Sequence, residues 1–447
     1  MRILIGFLLA IGAIAAGDGA RPPLAEAART GDKDALRSLL ERNADVNAAE
    51  ADGSTALHWA SYRDDTESAD LLIRVGANVN AANDLGVTPL WTASLNGNTV
   101  LVQKLLDAGA NPNAALASGE TPLMVAARSG RTKIIEQLAA KGANVNACGA
   151  RGQTALMWAA AQKHPDVVRV LLARGVDIHA RSDVWTQMMA VPPHGHLPYN
   201  RAIPQGGDTA LMFAARSGDL ASAKLLVAAG ANVNDQDSWG VSATVLAAHS
   251  GFAELVEFLL EKGADPNQAA AGFSALHAAI MRRDERTVRA LLDHGADPNT
   301  PLRTWTPTRR SSQDFHFEPA LVGASPFWLA ARFSQPEVMR LLVKHHADPL
   351  FVHHSEYLAG ERFEPRRGKA TAVMAAVGMG GGKAWVEPAR GDREALVIEA
   401  VKLAIELGVD VNAVNTDGRT ALDAAKAMRY ETVVKFLVEK SAKSGGK

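Results

Sequence analysis

The sequence predicts an all-α solenoid of about eleven helix–turn–helix units. Three observations carry this. A short block recurs at a fixed step: TALHWA at Thr55, TPLWTA at Thr88, TPLMVAA at Thr121 and TALMWAA at Thr154 lie 33 residues apart, and self-similarity at such a period marks a stacked-repeat architecture. Each block is followed by a second apolar stretch at helical spacing, as in Val167, Val168, Val170, Leu171 and Leu172. The composition, 47% apolar and 21% charged with only 5% aromatic residues, suits short helices packed closely through alanine and leucine.

The first 20 residues stand apart. In MRILIGFLLAIGAIAAGDGA, Arg2 precedes an apolar run over 3–16, and AIA at 13–15 offers a cleavage site. The run falls short of the roughly 20 residues a membrane span needs, and no cysteine follows it to take a lipid. Residues 1–20 are therefore expected to be a cleaved signal peptide. The mature chain would then be exported, periplasmic or extracellular, without stable membrane insertion.

The repeats follow in order. A degenerate copy, PLAEAARTG, starts at Pro22, and units 1–5 fill residues 21–179. Units 6–8, with blocks at Thr209, Ser242 and Ser274, fill 207–299. Unit 9, from Ser325, fills 323–350, and units 10–11, from Thr371 and Thr420, fill 370–440. Residues 441–447 are left as a disordered tail. Each unit repeats the same devices. A Thr or Ser caps the first helix, often with proline next, where no N–H is needed. A turn such as Arg128-Ser129-Gly130 leads to the second helix. That helix stops at glycine (Gly76, Gly109, Gly142, Gly230, Gly263, Gly295), and polar residues such as Asn78 and Asn80 follow.

Period, caps and stops together resemble the ankyrin repeat, whose T-P-L-H-x-A signature the blocks match. The resemblance covers nearly all of residues 22–440. It implies helix pairs joined by β-hairpin fingers, with a concave groove lined by fingers and first helices. It also implies a binding scaffold rather than an enzyme.

Four steps exceed 33 residues. Thr154 to Gly175, Ser274 to Gly295 and Ser325 to His346 keep the ordinary spacing of 21, so the surplus lies beyond those helices, in fingers at 180–206, 300–322 and 351–369. The fourth surplus, 380–394, lengthens the turn between two helices of one unit, which places it on the edge away from the finger tips. The finger insertions hold Trp185, Tyr199, Trp305, Phe315, Phe317, Phe351, Tyr357 and Phe363, interleaved with Arg201, Arg303, Arg309, Arg310, Arg366 and Arg367. Aromatics and arginine supply most interface hot spots. Loops stiffened by proline, as VPPHGHLPYN at 191–200 is, lose less entropy on binding. The competing reading is that these loops pack over the solenoid.

The resemblance also places the residues after each first helix's alanine pair in the groove. Arginine recurs there at Arg63, Arg128, Arg216, Arg282 and Arg332. A row of guanidinium groups favours carboxylates or phosphates, unless finger acids such as Asp208 and Asp237 neutralise it.

Other chemistry is sparse. The formal charge of −1 gives no argument for nucleic acid. The single cysteine, Cys148, excludes an intramolecular disulfide and a four-cysteine zinc site. His194 and His196, with His316 and His353, are the candidates for a metal site assembled from several fingers, although no HExxH occurs. GMGGGKA at 378–384 lacks the glycine and the hydroxyl a phosphate loop requires and reads as a flexible hinge. His58 and His277 read as structural. No catalytic constellation and no cofactor are expected. The sequence thus points to a protein-binding module in the cell envelope whose partner is expected to present an acidic surface, with metal or small-ligand binding, potentially enzymatic, as the alternative.

Overall fold

The computed structural model describes residues 21–189, 201–306, 316–359, 364–389 and 391–445. The leader, VPPHGHLPYN with His194, His196 and Tyr199, and Arg309, Arg310, Phe315 and Phe363 lie outside the described residues. A helix pair stands at every predicted block. Ala56–Tyr62 pairs with Thr66–Arg74, Pro89–Asn96 with Thr99–Asp107, Pro122–Arg128 with Thr132–Ala140, and Ala155–Ala161 with Pro165–Ala173. The degenerate copy at Pro22 also forms a full pair, Pro23–Thr30 and Lys33–Glu41.

The chain divides into two compact units. One comprises Met1–Asp183 with Thr209–Ala231, the other Val184–Asp208 with Asn232–Lys447. In the first, the first helices stack in sequence: Ala56–Tyr62 on Pro89–Asn96, then Pro122–Arg128, Ala155–Ala161 and Ala210–Ser217. Helix 155–161 meets helix 210–217 directly, so the insertion between them is looped out of the stack. The second unit repeats the arrangement with Ala243–Ser250, Ala275–Met281, Pro326–Arg332 and Ala372–Ala376.

The residues of the signature explain this packing. The Oγ atoms of Thr88, Thr121, Thr154 and Ser325 each accept the N–H three residues on, at 3.2–3.3 Å, and so satisfy an orphan donor of the first turn. First helices are sandwiched between neighbours, and their alanine pairs (126–127, 159–160, 214–215, 247–248) are fully buried. A larger side chain there would overfill the stack. His58 does more than cap its own helix. Its Nδ1 accepts from the Thr55 N–H (3.0 Å), and its Nε2 bonds the Val87 carbonyl in the next finger (3.0 Å).

Ordinary fingers are tighter than the hairpins implied by resemblance. A side chain holds the turn in several of them, as where Asn83 Oδ1 accepts from the N–H groups of Leu85 and Val87 and Asn415 Oδ1 from those of Asp417 and Arg419. Among the described residues, pairing outside the insertions is limited to isolated bridges such as Cys148 with Thr154. Among the described residues, true hairpins form in two insertions: β1 (Trp185–Met189) with β2 (Arg201–Gln205), and β3 (His353–Ala359) with β4 (Glu364–Ala370), both antiparallel.

An amide ladder joins successive units where the second helix ends. Asn80 Nδ2 donates to the Gly109 carbonyl (3.0 Å), and its Oδ1 accepts from the Asn111 N–H (2.7 Å). Asn47, Asn113, Asn234, Asn267, Asn299 and Asn412 make the same two bonds to their following units. The residue two positions earlier accepts from the N–H of the ladder residue, as Asp45 and Asn111 do.

Candidate functional site

The arginine row is largely spent within the chain. Arg63 Nη1 donates to the Arg29 carbonyl (3.1 Å) and Arg282 Nη1 to the His249 carbonyl (3.0 Å). Arg131 bonds the Asn96 carbonyl and His164 the Arg128 carbonyl in the same way. Each reaches a carbonyl in the last turn of the preceding first helix, where groups lack intrahelical partners and the helix end favours positive charge. At Arg63 and Arg282, arginine serves here to cap a neighbour. Arg128 instead pairs with Glu120 (2.7 Å) over the Trp158 ring, and burial pushes the Glu120 pKa up despite that partner. Glu120 is thus a finger acid that neutralises one member of the row. Asp237 spends Oδ1 on the N–H groups of Trp239 and Val241 in its own turn. Arg216 is exposed and lies 5.7 Å from the Phe213 ring.

The insertions pack more than their composition suggested. In the second, Leu302, Trp305, Phe317 and Leu321 are buried. Phe317 packs on Phe273 at 5.3 Å and on His277 at 6.4 Å. Trp305 and Phe317 are thus core residues of this unit and present little surface. In the first, the Arg201 guanidinium covers the Trp305 ring at 4.7 Å and its Nη1 bonds Thr304 Oγ1 (3.3 Å). Arg201 pairs across the hairpin with Met189, on the face that also carries half-buried Trp185 and buried Ile203. The other face presents Thr186 and Met188, continued by Val184. Met188 is 65% and Val184 61% exposed. Sequence reasoning passed over both, and VWTQMM carries no apolar/polar alternation that would have marked it as a strand.

Segment 378–389 departs most from expectation. It does not lie away from the fingers and is not a loose hinge. Gly380, Gly381 and Gly382 have φ of +97°, +76° and +74°. A Cβ on them would come within 2.4 Å of Trp328, 2.8 Å of Ala320 and 2.4 Å of Leu321. Only glycine provides both that backbone and that clearance. Arg332 Nε and Nη2 hold the Gly381 and Gly382 carbonyls, each at 2.9 Å, and burial pulls the Arg332 pKa down. Trp385 closes the strap. Its ring lies 4.9 Å from Phe317 and 5.0 Å from His249, and its Nε1 donates to the His316 carbonyl at 2.6 Å. Tyr357, half-buried in β3, has its hydroxyl beside Gly381. In this unit Arg332 and Trp305 are therefore occupied by the chain itself.

His353 serves the fold. His353 is buried against Trp328 (4.4 Å), with Nε2 bonded to the Ala320 carbonyl at 3.0 Å. Burial lowers its pKa. Neither His353 nor His316 stands in a group of three or more His, Cys, Asp or Glu side chains able to hold a metal among the described residues. No helix among those residues is long and apolar enough to cross a membrane.

The family model for ankyrin repeats in three copies matches residues 24–116, 90–182 and 211–301, and the single ankyrin-repeat model matches 322–354. The chain is 39% identical over 94 residues to a putative ankyrin repeat-containing protein of Treponema pallidum, covering 21% of this chain and 32% of that one. It is 34% identical over 104 residues to a putative ankyrin repeat protein of Rickettsia felis, covering 21% and 46% respectively. It is 30% identical over 132 residues to the mitochondrial disaggregase of Bos taurus, covering 21% and 20%. In each case it spans less than half of the relative's length. The crystal structure of the human ASB11 ankyrin repeat domain matches 55% of this chain and all of that one, at 28% identity and a TM-score of 0.45. With the repeat block, its caps and its stacked helix pairs in place, and with family models covering more than half of its length, the chain belongs to the ankyrin-repeat family.

Proposed function

We propose that this protein binds another protein through the outward face of its first insertion, and that it does so after export. Ankyrin repeats generally mediate protein–protein interaction, and such proteins are typically non-enzymatic scaffolds. The observation that carries the finer reading is the pair Val184 and Met188. Both are large apolar side chains more than half exposed, on a hairpin whose opposite face Arg201 anchors to Trp305. Anchoring one face orders the strands before a partner arrives, which lowers the cost of binding. Exposed methionine adapts to the surface it meets. The arginine-rich composition of the insertions suits an acidic partner surface. Export rests on the apolar run at 3–16 with AIA at 13–15.

The test places a photo-crosslinking residue at Met188, with a control at Lys344 on a second helix, in cells expressing the full chain. A discrete crosslinked partner at 188, absent at 344 and lost when Val184→Asp is added, supports the reading. Equal crosslinking at both positions, or crosslinking indifferent to the charge at 184, refutes it. The mass of the mature N-terminus, read on the same purified protein, tests export: a terminus at residue 1 or 2 would remove that part.

A further inference from the structure

One cavity in the second unit has the chemistry of a ligand site. It measures about 290 Å3 and lies between the strap and the last repeats. Arg332, Lys383, Arg393 and Tyr430 line it on the polar side, with Val397 and Met428 on the apolar side. Volumes near 300 Å3 are the lower bound for small-ligand pockets.

Its charge is unbalanced. Glu387 is the acid in its wall, and it pairs with Arg393 at 2.5 Å. Arg332 is half-buried beneath the strap and gives Nε and Nη2 to two backbone carbonyls. No carboxylate lies within ion-pair distance of it among the described residues, and Glu318 acts on it only through space. Lys383 is exposed at the mouth and likewise has no acidic partner among the described residues. A guanidinium withdrawn from water and bonded only to neutral carbonyls is stabilised by an added anion. The wall is already rigid, because three glycines that tolerate no Cβ seat the strap. A ligand would therefore meet donors fixed in advance.

We propose that this cavity binds an aliphatic carboxylate. The anion would sit between Arg332, Lys383 and Arg393, within reach of the Tyr430 hydroxyl, and its hydrocarbon would rest on Val397 and Met428. The apolar half favours this over inorganic phosphate, which would leave that surface wet. Such a carboxylate is carried by a free branched-chain acid and by a polypeptide ending in a residue such as leucine. In the second case the inference deepens the protein-binding reading and rests on it.

The test titrates the full chain, by calorimetry or by ligand-observed NMR, with 4-methylpentanoate, its amide, acetyl-Gly-Gly-Leu with a free or amidated terminus, and inorganic phosphate. Saturable binding of the acid, with none of the amide, is expected. Lys383→Gln with Arg393→Gln should weaken it about tenfold. Glu387→Gln should tighten it about threefold, since it removes the competing anion, a gain that a folding defect cannot produce. Tighter binding of the tripeptide acid than of the free acid identifies a chain terminus, and the reverse identifies a small molecule. Equal binding of acid and amide, preference for phosphate, absence of saturation, or indifference to all three substitutions overturns the proposal. Val184 and Met188 do not line this cavity, so crosslinking at the hairpin can succeed while this inference fails, or fail while it stands.

Discussion

Two asparagines two residues apart should respond oppositely to the same substitution. Asn113 is a ladder residue: Nδ2 donates to the Gly142 carbonyl at 3.0 Å and Oδ1 accepts from the Asn144 N–H at 2.7 Å. Asn111 uses its side chain only as an acceptor, from the Asn113 N–H at 2.9 Å. Asn→Asp keeps size and shape, adds one negative charge in either place and removes the donor. At 111 the retained bond becomes charge-assisted, so stability should change by no more than about 0.5 kcal/mol. At 113 one hydrogen bond is lost, worth about 1 kcal/mol, and a carboxylate oxygen faces a carbonyl oxygen. Exposure to solvent limits that second contribution, and the sum is about 1–2 kcal/mol.

Urea midpoints of the two variants, with amide exchange at Asn144 as a local readout, measure the difference. Local exchange matters because neighbour-coupled repeats need not unfold in one step. The pH dependence has a definite sign. Repulsion by the Gly142 carbonyl raises the folded-state pKa of an aspartate at 113 above its ordinary value. The deficit is then present at neutral pH and closes as pH falls below about 4, where a protonated carboxyl regains a donor. Equal midpoints for Asn111→Asp and Asn113→Asp would refute the ladder as a stabilising device.

Two further outcomes follow from the buried groups. Trp385→Ala removes the contacts with Phe317 and His249 and the bond to the His316 carbonyl; it should cost about 2–3 kcal/mol and open new proteolytic cuts within 378–394. Gly382→Ala, which must displace Leu321, should give the same cleavage pattern, and an unchanged pattern in both would mean the strap is not held as described. Burial pushes the pKa of His277 down to about 4 from 6.5, and His58 and His353 shift in the same direction. The folded state thus keeps these rings neutral, and the stability they confer is complete above pH 6.5. For His277 it falls between 6.5 and about 4 at up to about 1.4 kcal/mol per pH unit, and His58 and His353 contribute with the same sign. Urea midpoints from pH 7.5 to 5 should therefore decline, less steeply in His277→Gln, whereas a flat profile would refute the assignment.

The parts legible in the sequence were those set by local chemistry repeated many times. Thr-Pro starts, alanine pairs and glycine stops act within a few residues, so a period of 33 displays them directly. The fate of the arginines was not legible, because a guanidinium row reads the same whether it faces a ligand or a neighbouring helix end. Trp305, Phe317 and Trp385 were opaque for a related reason. Aromatics in a long loop serve a surface or a core equally well, and only the strap crossing from residue 380 to Phe317 decides between them.

The ladder shows what a physical reading of the repeat could have recovered. Its first position is Asp or Asn indifferently (Asp45, Asn78, Asn111, Asp265, Asp297), because an acceptor suffices there. Its second is Asn wherever the two bonds form, because the amide donates through Nδ2 and accepts through Oδ1, whereas a carboxylate can only accept. Two units break that second position, with His179 and Leu350 in place of Asn. They are the units whose fingers run on into the β1–β2 and β3–β4 hairpins. Asn299 keeps both bonds, to the His346 carbonyl and the Asp348 N–H, and the insertion beyond it packs Leu302, Trp305 and Phe317 inward. A finger tied to the next unit by its asparagine stays with the core even when lengthened, while one without that tie extends as a hairpin. Leu350→Asn in the full chain tests the rule. A shortened β3–β4 pairing, read from its cross-strand amide exchange, is the expected result, and unchanged protection of Ser355 and Arg367 would leave the correlation without a mechanism.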